Sequence, residues 1–291
     1  MEKVAVEKLT AGMVLGRSIF QSDGRILVRK NVEISSSIIT RLKELRFPAA
    51  YVETAANSDL TEPVSDLTRS EVIQSVARLD STFRSGKGIN FLACRAPLQK
   101  MIFEVMENKN IHMSTIEIRS LNDSIYNHMV QVCMIAVKIA LNMGYDQAKL
   151  FELALGVLFH DIGMTRIASD VLNRIGGLTN DEIAQIKTHP KVGYDLINQS
   201  RDLPGAAAEV AFQHHERYNG SGYPRKLAGL YIHEYARIAA VADVFDAMTT
   251  EKPYRPAKSI NDTLEYIQSQ RGAEFDPLVA DALVVAVAGD G

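Results

Sequence analysis

The stretch LFELALGVLFHDIGM, residues 150–164, decides how the chain is to be read. Leu150, Ala154 and Val157 recur at steps of three and four and lead to Asp161. Leu153 and Val157 lead in the same way to His160. That spacing predicts an amphipathic helix ending on His160-Asp161, with both polar side chains turned toward the core. A histidine and a carboxylate on an inward face need a partner or a metal ion, because burial of an unmatched polar group is costly.

The same pattern recurs on both sides of this stretch. His128 opens a predicted helix running to about Asn142. Thr179 followed by Glu182 fits a capping box and starts a helix in which Ile183 and Ile186 lead to His189; Pro190 then disturbs it. His214-His215 follow Val210-Ala211 at a spacing of four. Asp243 lies on a helix from about Glu234, with Ala236, Ala239 and Ala247 on the same side and Asp246 just beyond. Each residue alone reads more readily as a hydrogen-bonded core group than as a ligand. Five histidines and two aspartates on successive core-facing segments are hard to explain by packing. Imidazole with carboxylate suits iron, manganese, zinc or nickel. Seven donors exceed the needs of one tetrahedral ion. Two ions about 3.5–4 Å apart are the usual clamp on a phosphate ester.

Three regions precede or contain these donors. Residues 1–58 read as a small α+β unit, in which Ser22-Asp23-Gly24 turns a hairpin between residues 14–20 and 25–29. Ser35–Ser37 caps a short helix carrying Ile38, Ile39, Leu42 and Leu45, and residues 50–53 return as a strand. Residues 59–105 read as a helical connector, with Val72, Val76, Leu79 and Phe83 on one stripe, a break at Ser85-Gly86-Lys87-Gly88, and Leu98, Met101, Ile102 and Val105 on a second stripe. Such a stripe serves either a homodimer or signalling seam or the chain's own domain. Residues 106–291 are helical almost throughout, so the class is mainly α with a small α+β unit in front.

Composition narrows the partners. A formal net charge of −3 lacks the basic excess of proteins that coat polymeric nucleic acid. No apolar run reaches the ~20 residues needed to span a bilayer. Residues 1–8 alternate with charges and do not form a signal peptide. Cys94 and Cys133 read as small core residues in a reducing compartment, so a cytoplasmic location is expected.

His160-Asp161 is the doublet of the HD superfamily of metal-dependent phosphohydrolases. The segments His189-Pro190, His214-His215-Glu216, residues 219–224 (Asn-Gly-Ser-Gly-Tyr-Pro), residues 243–247 and residues 252–255 resemble its HD-GYP branch, over roughly residues 120–280. Leu172-Asn173, Leu178-Thr179 and residues 275–277 fit the same pattern in the same order. The resemblance implies an HD-type helical bundle and a bacterial enzyme that opens a cyclic dinucleotide. Cyclic di-GMP, cut to pGpG or GMP, is the usual substrate; some members prefer the mixed GMP–AMP dinucleotide. Carried onto this chain, it assigns His128, His160, Asp161 and Asp243 to one divalent ion. It assigns His189, His214 and His215 to a second, iron before manganese, nickel or zinc. Asp161 is the bridging, catalytic carboxylate, and Tyr223, Asp246, Lys252 and Arg255 face the substrate.

Three positions depart from that pattern. Met164 stands where the family has the lysine of its His-Asp-x-Gly-Lys motif, which implies slow turnover or, as the alternative, a cyclic-dinucleotide sensor. Ser124 stands where members with a third ion have a glutamate, so two ions are expected. Lys252 replaces an arginine, keeping charge without the bidentate fork.

Overall fold

A computed structural model describes residues 2–53, 63–84, 90–108, 125–172, 174, 176–200, 202–250 and 256–288. Lys252, Arg255, Ser124, Asn173, the side chain of Phe83 and the break at 85–88 lie outside the described residues.

The small N-terminal unit follows its sequence signals. Strand β1 (Glu2–Ala5) pairs antiparallel with β4 (Ala49–Val52), Glu2 opposite Val52 and Ala5 opposite Ala49. Strands β2 (Ile19–Phe20) and β3 (Ile26–Val28) form the expected hairpin, with Gly24 at φ +84° in its turn. The Ser35 hydroxyl caps helix α1 (Ser36–Glu44) by accepting from Ile38 N–H at 3.3 Å. Val6, Leu15, Ile34, Leu42, Phe47 and Val52 make a separate small core between these pieces.

Helices α2 (Asp66–Arg84) and α3 (Arg95–Glu107) carry the two predicted stripes. Val72, Val76 and Leu79 on α2, and Leu98, Met101, Ile102 and Val105 on α3, are buried in one core with the helices that follow. Of the two uses open to those stripes, packing within the chain is the one seen. Each fully buried side chain of this kind stabilises the fold by roughly 1.5–3 kcal/mol.

The bundle is built around helix α4 (Ile125–Asn142), whose residues from Met129 to Ala140 are all buried. A helix buried all round, and apolar in that stretch except at Gln131 and Lys138, lies inside a bundle. Against it pack α5 (Gln147–Leu158), α2, α3, and two helices introduced below. Two short helices follow α5: α6 (Ser169–Leu172) and α7 (Asn180–Ile186), the latter opened by the predicted Thr179–Glu182 capping box. Then come α8 (His189–Asn198), with Pro190 in its first turn, and α9 (Gly205–Gln213). Helices α10 (Glu234–Thr249), α11 (Ile260–Ser269) and α12 (Pro277–Ala288) close the bundle, and α10 and α12 lie on α4. No helix among the described residues is long and apolar enough to cross a membrane.

Several boundaries differ from the sequence reading: α4 begins at Ile125 rather than at His128, and α7 stops at Ile186, so that His189 opens α8. Helix α5 stops at Leu158, so His160 and Asp161 lie just past its end, followed by a 3-10 turn over Ile162–Arg166. The chain tightens there through hydrogen bonds three residues apart, Phe159 to Gly156 at 3.2 Å and His160 to Val157 at 3.1 Å. Helix α9 likewise ends at Gln213, leaving His214 as its cap and His215 beyond it.

Candidate metal centre

The ends of three helices aim three histidines. The last turn of an α-helix leaves carbonyl groups without intrahelical partners. His160 Nδ1 donates to Val157 O at 2.8 Å, His189 Nδ1 to Ile186 O at 2.7 Å, and His214 Nδ1 to Ala211 O at 3.0 Å. A carbonyl only accepts, so each Nδ1 carries the proton and each Nε2 of the neutral ring presents a lone pair. His128 is oriented differently: its Nδ1 lies 2.8 Å from an oxygen of Asp246, one turn of α10 beyond Asp243.

The lone pairs converge on Asp161. Its Oδ1 lies 3.1 Å from His189 Nε2 and 3.5 Å from His214 Nε2. Its Oδ2 lies 3.6 Å from His128 Nε2 and 3.7 Å from His160 Nε2. Asp243 Oδ1 stands 3.3 Å from His128 Nε2. The donors therefore fall into two groups, one of Asp161, His189, His214 and His215, the other of His128, His160 and Asp243, each with its donor atoms within 4.8 Å of one another. All seven donors named from the sequence are in these two groups.

Two features fit a cation in each group. His160 Nε2 is buried with no hydrogen-bond partner among the described residues. His189 Nε2 and His214 Nε2 face each other at 3.2 Å, although both rings have committed their Nδ1 protons elsewhere. Two lone pairs that close repel unless a proton or a metal ion lies between them. Burial alone would depress His189, but its hydrogen bond to Asp161 outweighs that and raises it. Burial also opposes charge on His128, and the hydrogen bonds to Asp243 and Asp246 again prevail and hold it well above its ordinary value. Burial pushes His160 down to about 4, so it stays neutral. Burial disfavours ionised Asp161 and Asp243, yet the surrounding imidazoles hold both carboxyls well below the usual range.

Glycines allow the close approach of the segments. A Cβ on Gly163 would stand 2.1 Å from His189 O and 2.7 Å from Gly193 N, so this residue lets the turn after Asp161 press against α8. A Cβ on Gly222 would meet Arg217 N, Glu216 Cα and His215 O at 2.4–2.5 Å. Gly222 thus folds the loop back onto the His214-His215 turn. Buried Glu216 fastens that loop, its carboxylate accepting from Arg225 N–H at 2.7 Å and Leu227 N–H at 3.1 Å. The sequence reading quoted Glu216 within a motif and gave it no task.

Tyr223 is brought to the site by this loop. Its ring stacks on His215, centroids 4.8 Å apart and 25° between planes. The Lys187 ammonium lies 5.4 Å from the same ring. Burial first, and then the charges of Asp161 and Asp243, keep the Tyr223 hydroxyl protonated. Met164 is half-buried in the 3-10 turn after Asp161. Asp246, expected on the substrate side, is buried and bonded to His128. His233 caps α10, its Nδ1 accepting from Tyr235 N–H at 3.2 Å, and belongs to neither donor group.

The helical bundle carries two His/Asp groups, each able to hold a metal ion. A family model described as HD domain matches residues 111–279, more than half of the chain. The chain belongs to the HD domain family. It is 42% identical over 145 residues to the cyclic di-GMP phosphodiesterase response regulator RpfG of Xanthomonas campestris, covering 50% of this chain and 38% of that protein. It is 30% identical over 204 residues to the cyclic di-GMP phosphodiesterase PA4108 of Pseudomonas aeruginosa, covering 70% of this chain and 49% of the relative. The chain thus spans less than half the length of these two relatives. Its fold is similar to that of Bd1817, an HDG"Y"P protein from Bdellovibrio bacteriovorus, with TM-score 0.64, 16% identity and 99% of each chain covered.

Proposed function

We propose that this chain holds two divalent ions and hydrolyses a phosphodiester of a cyclic dinucleotide, cyclic di-GMP first, in bacterial second-messenger signalling. The observation that carries this reading is one carboxylate, Asp161, turning one oxygen to each of two donor groups. His128, His160, Asp161 and Asp243 would hold one ion, and Asp161, His189, His214 and His215 the other. Divalent ions supply charge neutralisation at phosphate oxygens and ease the deprotonation of water. The chain's own contribution is orientation. Backbone carbonyls and Asp246 lock four imidazoles in the tautomers that present a lone pair. Tyr223, protonated and stacked on His215, is a hydroxyl donor for a phosphate or base edge at the mouth of the site. Lys252 and Arg255 would add substrate contacts from the segment after α10.

One observation favours a second reading. Met164 brings no charge to the turn after Asp161, which suits a protein that binds a cyclic dinucleotide and signals without rapid hydrolysis. Incubating manganese- or iron-loaded protein with cyclic di-GMP and separating pGpG and GMP tests both. Turnover supports the enzyme. Tight binding without product supports the sensor. Neither binding nor product removes the cyclic-dinucleotide reading.

A further inference from the structure

The chain carries a buried carboxylate that belongs to neither donor group. Asp80, near the end of α2, is 3% exposed. Its Oδ2 accepts from the Tyr126 hydroxyl at 2.8 Å, and its Oδ1 lies 3.7 Å from a guanidinium nitrogen of Arg166. A buried carboxylate persists where opposite charge and hydrogen bonds offset its lost hydration. The partners are two chain segments that lead directly to donors. Tyr126 is in the first turn of α4, two residues before His128. Arg166 ends the 3-10 turn whose N-cap is Asp161. That turn is short and internally tied, Met164 N–H to Asp161 O at 2.9 Å and the Thr165 hydroxyl to Ile162 O at 2.8 Å. A shift of Arg166 is therefore transmitted to Asp161.

Helix α2 is anchored at its other end to the small N-terminal unit. The Ser18 hydroxyl donates to the Asp66 carboxylate, and the Ser70 hydroxyl donates to Gly24 O at 2.6 Å. A Cβ on Gly24 would lie 2.5 Å from Ile73 Cγ2, so the β2–β3 turn sits directly on α2. From Asp66 to Asp80 the helix is a rod of about 21 Å at ~1.5 Å per residue.

We propose that Asp80 is a positioning residue for the metal centre: by gripping Tyr126 and Arg166 it sets the separation of His128 from Asp161. This rests on the reading of the two donor groups as metal sites. The test is cobalt(II) titration of the full chain, following the visible absorption bands that report coordination. Asp80→Asn keeps the shape and a hydrogen-bond acceptor for Tyr126 but loses the charge that faces Arg166. It should weaken uptake of one of the two ions about tenfold, the scale seen when groups behind metal ligands are changed, and shift the spectrum of that ion. Adding Arg166→Met to Asp80→Asn should cost little more, because both act through one contact. Ser70→Ala loosens the same helix at its far end and should leave cobalt affinity within twofold. Cobalt affinity and spectrum unchanged in Asp80→Asn would overturn the proposal, as would an equal loss in Ser70→Ala, which would mark general loosening of α2. Should Asp80→Asn fail to fold, Tyr126→Phe removes only the hydroxyl, and unchanged affinity there overturns it too. Wild-type protein that takes up no cobalt would instead sink the metal reading itself.

Discussion

The Nε2 atoms of His189 and His214 lie 3.2 Å apart, with Asp161 Oδ1 beside both at 3.1 and 3.5 Å. Each ring has given its other proton to a helix-end carbonyl. The geometry is unfavourable for two neutral imidazoles alone and is relieved by a cation between them. The behaviour expected of variants follows from how the two proposed ions would be held.

Asp161 faces both groups, so Asp161→Ala should abolish binding of both ions, about two per chain in the wild type. His160→Ala should chiefly weaken the ion beside His128 and Asp243. His233→Ala is the control, since this residue caps α10 and belongs to neither group. Metal analysis of anaerobically purified protein checks all three. A His233→Ala variant stripped of metal as fully as His160→Ala would show that the donors are misassigned.

Metal uptake should strengthen as pH rises from about 6 to about 8. His128 and His189 have raised values, so acid keeps a proton where an ion would sit, while Asp161 and Asp243 are already ionised. Deprotonation with rising pH removes that competition, and metal binding releases protons. Calorimetric titration in buffers of different ionisation enthalpy would count them. An affinity independent of pH, with no proton release, would contradict the raised values of His128 and His189.

Asp246 is bonded to His128, which makes it a support for a ligand. Asp246→Ala should reduce affinity for the neighbouring ion by roughly 10–100-fold. At metal concentrations that saturate the variant, the KM for substrate should stay close to wild type. A rise in KM with metal affinity intact would instead return Asp246 to the substrate side, where the sequence pattern put it.

Gly163→Ala should be disruptive although it adds one methyl group. Its Cβ would stand 2.1 Å from His189 O, a backbone atom that moves only with α8. A cost of about 1–3 kcal/mol in unfolding free energy is the usual scale for such overpacking. The ion held with His189 should be lost first. Denaturant unfolding together with metal analysis measures both, and a variant equal to wild type in each would mean that the turn and α8 can separate freely.

Met164→Lys should raise kcat by about 10–100-fold, as expected of a modest electrostatic or proton-transfer contribution, with little change in Kd for cyclic di-GMP. The cation acts on charge that develops in the transition state, hence on turnover more than on binding. Wild type and variant need equal metal loading for the comparison. Brisk wild-type turnover, unchanged by the lysine, would show that another group does this work.

Much of this protein is determined by local sequence. The α5 stripe, the Thr179–Glu182 capping box and the Gly24 turn are contests between neighbouring residues, settled by side-chain periodicity and by which backbone groups lack partners. That five histidines and two aspartates recur beside apolar positions is also visible in the chain itself. Tertiary structure decided what lies between distant segments. Whether the apolar stripes of α2 and α3 would meet a partner or the bundle depended on which surface was nearest after collapse, which spacing does not encode. Asp246 looked like a neighbour of Asp243 on one helix, and only the packing of α10 on α4 put it behind His128. Asp80 drew no notice because a lone aspartate on an amphipathic helix reads as a solvated one. Its role arises where three segments far apart in sequence leave one buried carboxylate between a tyrosine and an arginine. Side-chain order along one helix is a matter of ~1.5 Å steps. The partner across a bundle is chosen by the packing of the whole core, in which each helix takes its place only when the others have taken theirs.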